Sequence, residues 1–259
     1  MKRNILLLCL FVFISSNLFT QNTDSNYSVR RDSGYINVEG GKLFCEIAGE
    51  GECIVLLHDG IAHREIWDNQ FGVFARNYSV VRYDRRGYGK SDFPQAPFSH
   101  IEDLKKLFEQ LKINKAIIFG MSGGGELAID FTLIYPEKVN ALVLAGAVVG
   151  GYGATSHTNT RGGYVNSIVE LLSDPKKFIE YIVRKDPYEI YSENRKAKEK
   201  LYKLLKENPN DVNFTREFFK KPTDKPALKY LSEIKCPTLV LSGNMICPIF
   251  MRMPALWKF

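Results

Sequence analysis

Ser122 lies in the run AIIFG-MSGGG-ELAIDF, which sets Gly120–Met121–Ser122–Gly123–Gly124 as a G-x-S-x-G pattern between an apolar, strand-like stretch and a helix-like one. A serine on a sharp strand-to-helix turn occupies strained backbone, and the turn lifts its Oγ out of the sheet. The hydroxyl then stands near a helix N-terminus, where free N–H groups can stabilise a developing oxyanion. The chemistry open to such a serine is nucleophilic attack with stabilisation of the oxyanion formed. Gly120 and Gly124 leave room for the close chain approach that the turn requires, and the N–H of Gly123 is the first candidate oxyanion donor. The plainer reading is a glycine-rich turn with a passive serine; the strand before and the helix after favour the nucleophile. The run has neither the G-K-[ST] of a phosphate loop nor the GxGxxG spacing of a dinucleotide site.

The elements that must hold this turn can be read from hydrophobic patterning. Tyr35–Val38 and Leu43–Ala48 read as strands around a Gly40–Gly41 hairpin turn. Cys53–His58 (CIVLLH) is a continuous apolar run, as expected of a strand covered on both faces. A helix follows from about Glu65 to Ala75, then a strand at Ser79–Tyr83. Ile101–Leu111 carries a helical apolar stripe at 101, 104, 107, 108 and 111. Ala116–Phe119 is a strand, Glu126–Tyr135 a helix ending before Pro136, and Ala141–Ala145 a buried strand. Strands alternating with helices give an α/β fold with a mostly parallel sheet flanked by helices.

After Gly150 the pattern changes. Gly150, Gly151, Gly153, Gly162 and Gly163 loosen the chain; Val165–Lys206 reads as helical, Asn208–Asn210 as a break, and 213–220 and 226–232 as short helices. Thr238–Leu241 is one more strand. The expected organisation is a lead-in at 21–33, a core at 34–149, an inserted helical cap at 150–233, a core strand at 234–244 and a tail at 245–259. The Lys and Glu of the cap read as a solvated face.

The chain has 259 residues, 45% hydrophobic and 25% charged, with 35 Lys+Arg against 29 Asp+Glu. That balance excludes disordered, collagen-like and coiled-coil classes. The basic excess is too small and scattered for a nucleic-acid partner. Lys2 and Arg3 precede an apolar run from Ile5 to Ile14, the layout of a secretory signal peptide over residues 1–20, so the expected destination is periplasmic or secreted. The alternative is an uncleaved anchor or a buried N-terminal segment. Export permits disulfides: Cys45 and Cys53, on neighbouring strands of a hairpin, either pair or remain buried thiols. No C-x-x-C and no His–Cys cluster occurs, so no metal or other cofactor is expected.

Several segments together resemble the α/β-hydrolase superfamily, in its single-domain group of small esterases, lactonases and C–C bond hydrolases. LLHDG at 56–60 is similar to its oxyanion loop and YDRRGYGKSD at 83–92 to its D-x-R-G-x-G-x-S loop. GMSGGG at 120–125 matches the elbow, YPEKVNALVLAGA at 135–147 the following helix, loop and strand, and CPTLVLSGN at 236–244 the strand ahead of the acid. The resemblance implies Ser122 as nucleophile, Gly60 and Gly123 as oxyanion donors, and a small-molecule ester, lactone or related acyl substrate, without stable membrane insertion. It implies a structural role for His58 and loop-ordering roles for Asp84, Arg85 and Ser91. Asp59 departs from the usual glycine, and its carboxylate would be unfavourable if it pointed into the oxyanion hole.

The family order is serine, acid, histidine. Here Ile246 stands where the carboxylate is expected, no Asp or Glu follows Glu233, and no His follows His157. The resemblance therefore implies impaired activity and a missing last strand and helix, through either a frameshift or premature stop near residue 244 or a natural pseudo-hydrolase. His63, His100 and His157 are the remaining candidates for a substitute base. The alternative to a serine hydrolase is a non-catalytic small-molecule binder or an inert truncated remnant.

Overall fold

Seven strands form one mixed sheet in the order β1-β2-β4-β3-β5-β6-β7. They are β1 (Arg31–Val38), β2 (Gly41–Ala48), β3 (Cys53–Leu57), β4 (Ser79–Tyr83), β5 (Ala116–Met121), β6 (Val139–Ala145) and β7 (Thr238–Leu241). The computed structural model describes residues 31–152, 174–185 and 194–242. The signal-like run 1–20, Gly153, His157, Gly162, Gly163, Ile246 and the tail 245–259 lie outside the described residues. β1 and β2 pair antiparallel, β2 and β4 antiparallel, and the rest of the sheet is parallel. The α/β class with a mostly parallel sheet is thus the observed one.

Alternation along the strands sorts the core into two layers. In β3, Val55 and Leu57 face a layer shared with α2 (His100–Gln110) and α3 (Gly123–Ile134), which contribute Leu104, Leu107, Phe108, Leu127 and Phe131. Ile54 and Leu56 face the other layer, with Phe71 and Phe74 of α1 (Asp68–Phe74). Ser99 caps α2, its hydroxyl accepting from the Glu102 N–H at 3.4 Å. α3 is buried along nearly its whole length, so the element behind Ser122 is part of the core.

Between β6 and β7 the described chain is helical: α4 (Pro175–Lys185), α5 (Arg195–Glu207), and short 3₁₀ turns at Pro209–Val212, Phe214–Phe219, Ala227–Lys229 and Leu231–Glu233. Phe178, Ile179 and Ile182 of α4 and Leu201 and Leu205 of α5 form an apolar cluster with Ile61 and Ala62. The helical segment therefore packs on the loop that leaves β3.

Three local expectations need correction. β1 begins at Arg31, inside the segment read as a lead-in, because its ladder runs the full length of β2 to the Arg31–Ala48 pair. The Val38–Gly41 pair makes Glu39 and Gly40, with Gly40 at φ +70°, the hairpin loop instead of Gly40–Gly41. Cys45 and Cys53 are not on adjacent strands: β4 runs between β2 and β3, with Cys45 opposite Tyr83 and Cys53 opposite Ser79. Both are free thiols, and Cys236 is a third.

Candidate active site

Ser122 sits between β5 and α3 at φ +49° and ψ −117°, a conformation rarely held by a residue with a side chain. The bend is held by backbone. The Ser122 N–H donates to Ala145 O at 3.0 Å, and its carbonyl accepts from Gly125, Glu126 and Val148 N–H groups. The hydroxyl makes no capping bond to α3. Gly124 explains why the turn can sit where it does: a Cβ there would meet the Leu57 and His58 carbonyl oxygens at 2.4 Å.

The structure brings Ser122, Gly123 and Gly60 together. A Cβ on Gly123 would lie 3.6 Å from the Gly60 nitrogen, so the two backbone segments run side by side. Among the described residues neither N–H has an acceptor. Gly60 is held from behind, where its carbonyl accepts from the Tyr88 hydroxyl at 3.0 Å. Asp59 is turned to the loop itself, its Oδ1 accepting from Ile61 and Ala62 N–H groups at 2.9 and 2.7 Å. Burial raises the Asp59 pKa, opposed by those two bonds and by Arg85.

His58 is fully buried. Its Nε2 accepts from the Arg85 N–H at 2.9 Å, which leaves the proton on Nδ1, donated to Asp59 O at 2.8 Å. Burial and the Arg85 cation hold it neutral, well below the usual imidazole range. Both ring nitrogens are committed to the loops, matching the structural role expected of it. Asp84 accepts from Arg64 N–H and Nη1 and from the Lys90 N–H, while the Ser91 hydroxyl bridges Asp84 O and the Phe44 N–H. These are loop-ordering bonds, as expected.

The candidate bases are elsewhere engaged. His63 meets Asp211 through Nδ1, and its Nε2 lies 3.8 Å from Glu65 Oε2. His100 is buried edge-on against Phe98, with its Nδ1 unpartnered. Burial and the cations Arg85, Lys220, Arg216 and Arg86 keep it neutral. Among the described residues no imidazole hydrogen-bonds Ser122, and no group of three His, Cys, Asp or Glu is placed to hold a metal ion.

Asp211 and Arg216 are two positions bracing the site that sequence reading missed. Both come from the segment read as the helical cap, and both are buried completely. Asp211 Oδ1 accepts from the Gly89 N–H at 2.8 Å. Arg216 donates to the Gly87, Asn210 and Asp211 carbonyls and stacks 3.7 Å from the Tyr88 ring centre. Their only sequence signal is the nearby apolar residues Val212 and Phe214 for Asp211, and Phe214 and Phe218 for Arg216.

The α/β-hydrolase fold family model matches residues 53–172, which contain the His58–Gly60 loop, the 83–92 loop and the elbow. A 2-hydroxy-6-oxononadienedioate/2-hydroxy-6-oxononatrienedioate hydrolase from Paraburkholderia phymatum is 31% identical over 230 residues, 82% of this chain and 78% of that enzyme. The chain belongs to the α/β-hydrolase fold family. A hydrolase of the same description from Comamonas testosteroni is 29% identical over 163 residues, and the match spans 55% of that enzyme's length. An esterase from Exiguobacterium antarcticum shares the fold at a TM-score of 0.68 with 23% identity, covering 87% of this chain and 86% of that one. This α/β-hydrolase chain is thus a hydrolase by family.

Proposed function

We propose that the chain is a serine hydrolase of the α/β-hydrolase type, with Ser122 as nucleophile and the N–H groups of Gly60 and Gly123 as oxyanion donors. Its substrate is a small ester, lactone or related acyl compound, attacked at the carbonyl to give an acyl-Ser122 intermediate. The relatives named as dienedioate hydrolases extend that class to C–C bonds beside a carbonyl. The observation that carries the reading is the strained backbone of Ser122, whose hydroxyl is withheld from its own helix beside two N–H groups without acceptors.

Turnover is weak. Ile246 occupies the position where the family carries its acid. The described histidines are bound to other partners and make no hydrogen bond to Ser122. A serine that no imidazole assists keeps the contribution of the oxyanion donors and of binding. We further propose an exported protein, directed by residues 1–20, that acts on a small molecule.

A fluorophosphonate probe tests this. Labelling of the full chain confined to Ser122 and abolished by Ser122→Ala is expected, at a rate well below that of a triad enzyme. No labelling would leave the second reading, a small-molecule binder, which is favoured if ligands still raise the melting temperature.

A further inference from the structure

We propose that Arg85 selects the substrate: its guanidinium receives a carboxylate of the ligand beside the Gly60 and Gly123 N–H groups. This rests on the reading of Ser122 and those N–H groups as the reacting centre.

Arg85 is only 5% exposed. Arg64, Arg82 and Arg86 pair with Asp84, Asp68 and Asp103 at 2.8, 2.6 and 2.6 Å. Among the described residues Arg85 has no such partner. Its Nη2 donates to Asp59 O, and its buried Nε has no partner. The Asp59 carboxylate feels its charge through space without pairing to it, and a buried guanidinium with an unfilled donor is unfavourable. The loop-ordering role read from the sequence is filled by the Arg85 backbone N–H and by Asp84, Arg86 and Ser91. The Arg85 side chain adds one bond to that order, from Nη2 to Asp59 O, and leaves its Nε unfilled.

Its position explains the exception. Arg85 Nη2 is 3.8 Å from the point where a Cβ on Gly123 would be, and the Gly60 nitrogen is 3.6 Å from the same point. A Cβ lies about 2.5 Å from its own nitrogen, so Nη2 is within about 6 Å of the Gly123 N–H. The planar cation therefore stands beside the pair of N–H groups. An acyl compound with its carboxylate one or two bonds from the reacting carbonyl would satisfy both. The guanidinium fork suits carboxylate geometry better than an ammonium would. Arg216 stacks on the same Tyr88 ring as Arg85 and adds a second cation, while the Asp59 carboxylate spends its Oδ1 on its own loop.

Isothermal titration of the full chain with phenylglyoxylate and with its neutral amide, 2-oxo-2-phenylacetamide, tests the assignment. The acid should bind about tenfold tighter or better, as a charge-assisted pair requires. Arg85→Gln should erase that preference, Arg85→Lys should keep part of it, and Ser122→Ala should keep all of it. The acid should also slow labelling of Ser122 by a neutral fluorophosphonate in the parent chain. Equal affinity for acid and amide, no binding of the acid, or a preference that survives in folded Arg85→Gln overturns the assignment. If Arg85→Gln does not fold, full acid preference in Arg85→Lys overturns it. Absence of Ser122 labelling with the acid preference intact removes the acyl chemistry and leaves the anchor. Labelling without the preference does the reverse.

Discussion

His63 Nδ1 and Asp211 Oδ2 lie 2.6 Å apart although 148 positions separate them in the chain. The contact ties the loop after β3 to the turn after α5. Burial alone would lower the His63 pKa, but the Asp211 hydrogen bond and the charges of Asp211, Asp84 and Glu65 outweigh it, and the net shift is upward.

The first prediction concerns this pair. Asp211→Ala leaves His63 and the Gly89 N–H buried without their acceptor, and should destabilise the fold by about 3–5 kcal/mol. A histidine whose pKa is raised by folding stabilises fully below its unfolded value of about 6.5, and that stabilisation is lost as the pH climbs through the folded value. Urea unfolding of the parent chain and Asp211→Ala should therefore show a wider gap near pH 6 than near pH 9. An equal gap at both would mean that charge contributes nothing to the pair.

Asp130 gives a pH dependence of the same sign on an acid. It is 8% exposed on α3, one of its oxygens has no partner, and burial, followed by the charge of Glu126, raises its pKa to about 7. The folded chain then holds a proton that the unfolded chain releases above about pH 4, so stability falls as pH rises through that window. Asp130→Asn should stabilise by up to about 4 kcal/mol near pH 8 and by less near pH 5. Unfolding midpoints at the two pH values measure this, and no gain near pH 8 would contradict the raised value.

Backbone approach separates two glycines of the site. A Cβ at Gly124 would meet two carbonyl oxygens at 2.4 Å, whereas one at Gly60 would have nothing within 4 Å. Gly124→Ala should lower stability by about 3 kcal/mol or prevent folding. Gly60→Ala should melt within a few degrees of the parent chain. Thermal melts of the two variants side by side decide it.

The thiols give the fourth prediction. Burial pushes Cys45 up to about 11 and Cys53 up to about 12, with the neighbouring charges of Glu46 and Glu52 as lesser causes. Neither should react with a thiol-disulfide reagent near pH 8 while the chain is folded. Both should react after denaturation without a reductant. A Cys45–Cys53 bridge found by peptide mapping would contradict the strand order.

Legibility followed the range of the interactions. β4 and β7 fall on the residues read from the sequence, because a run such as SVVRY carries its own pattern. The bend at Ser122 was equally local, written in five consecutive residues. Asp211, Arg216 and the bare guanidinium of Arg85 were not legible, since each owes its environment to residues brought near only by the closed sheet. The placement of Cys45 and Cys53 on neighbouring strands failed for the same reason. Adjacency in sequence suggested a hairpin, while the crossover through α1 inserted β4 between the two strands.

The bonds of Asp211 and Arg216 to Gly87, Gly89, Tyr88 and His63 also bear on engineering. The helices after β6 and the loops around the elbow form one interlocked unit, so a roof transplanted from another hydrolase must bring equivalents of both side chains. Without them, a graft chosen for pocket shape alone would leave two loops of the floor without their keystones.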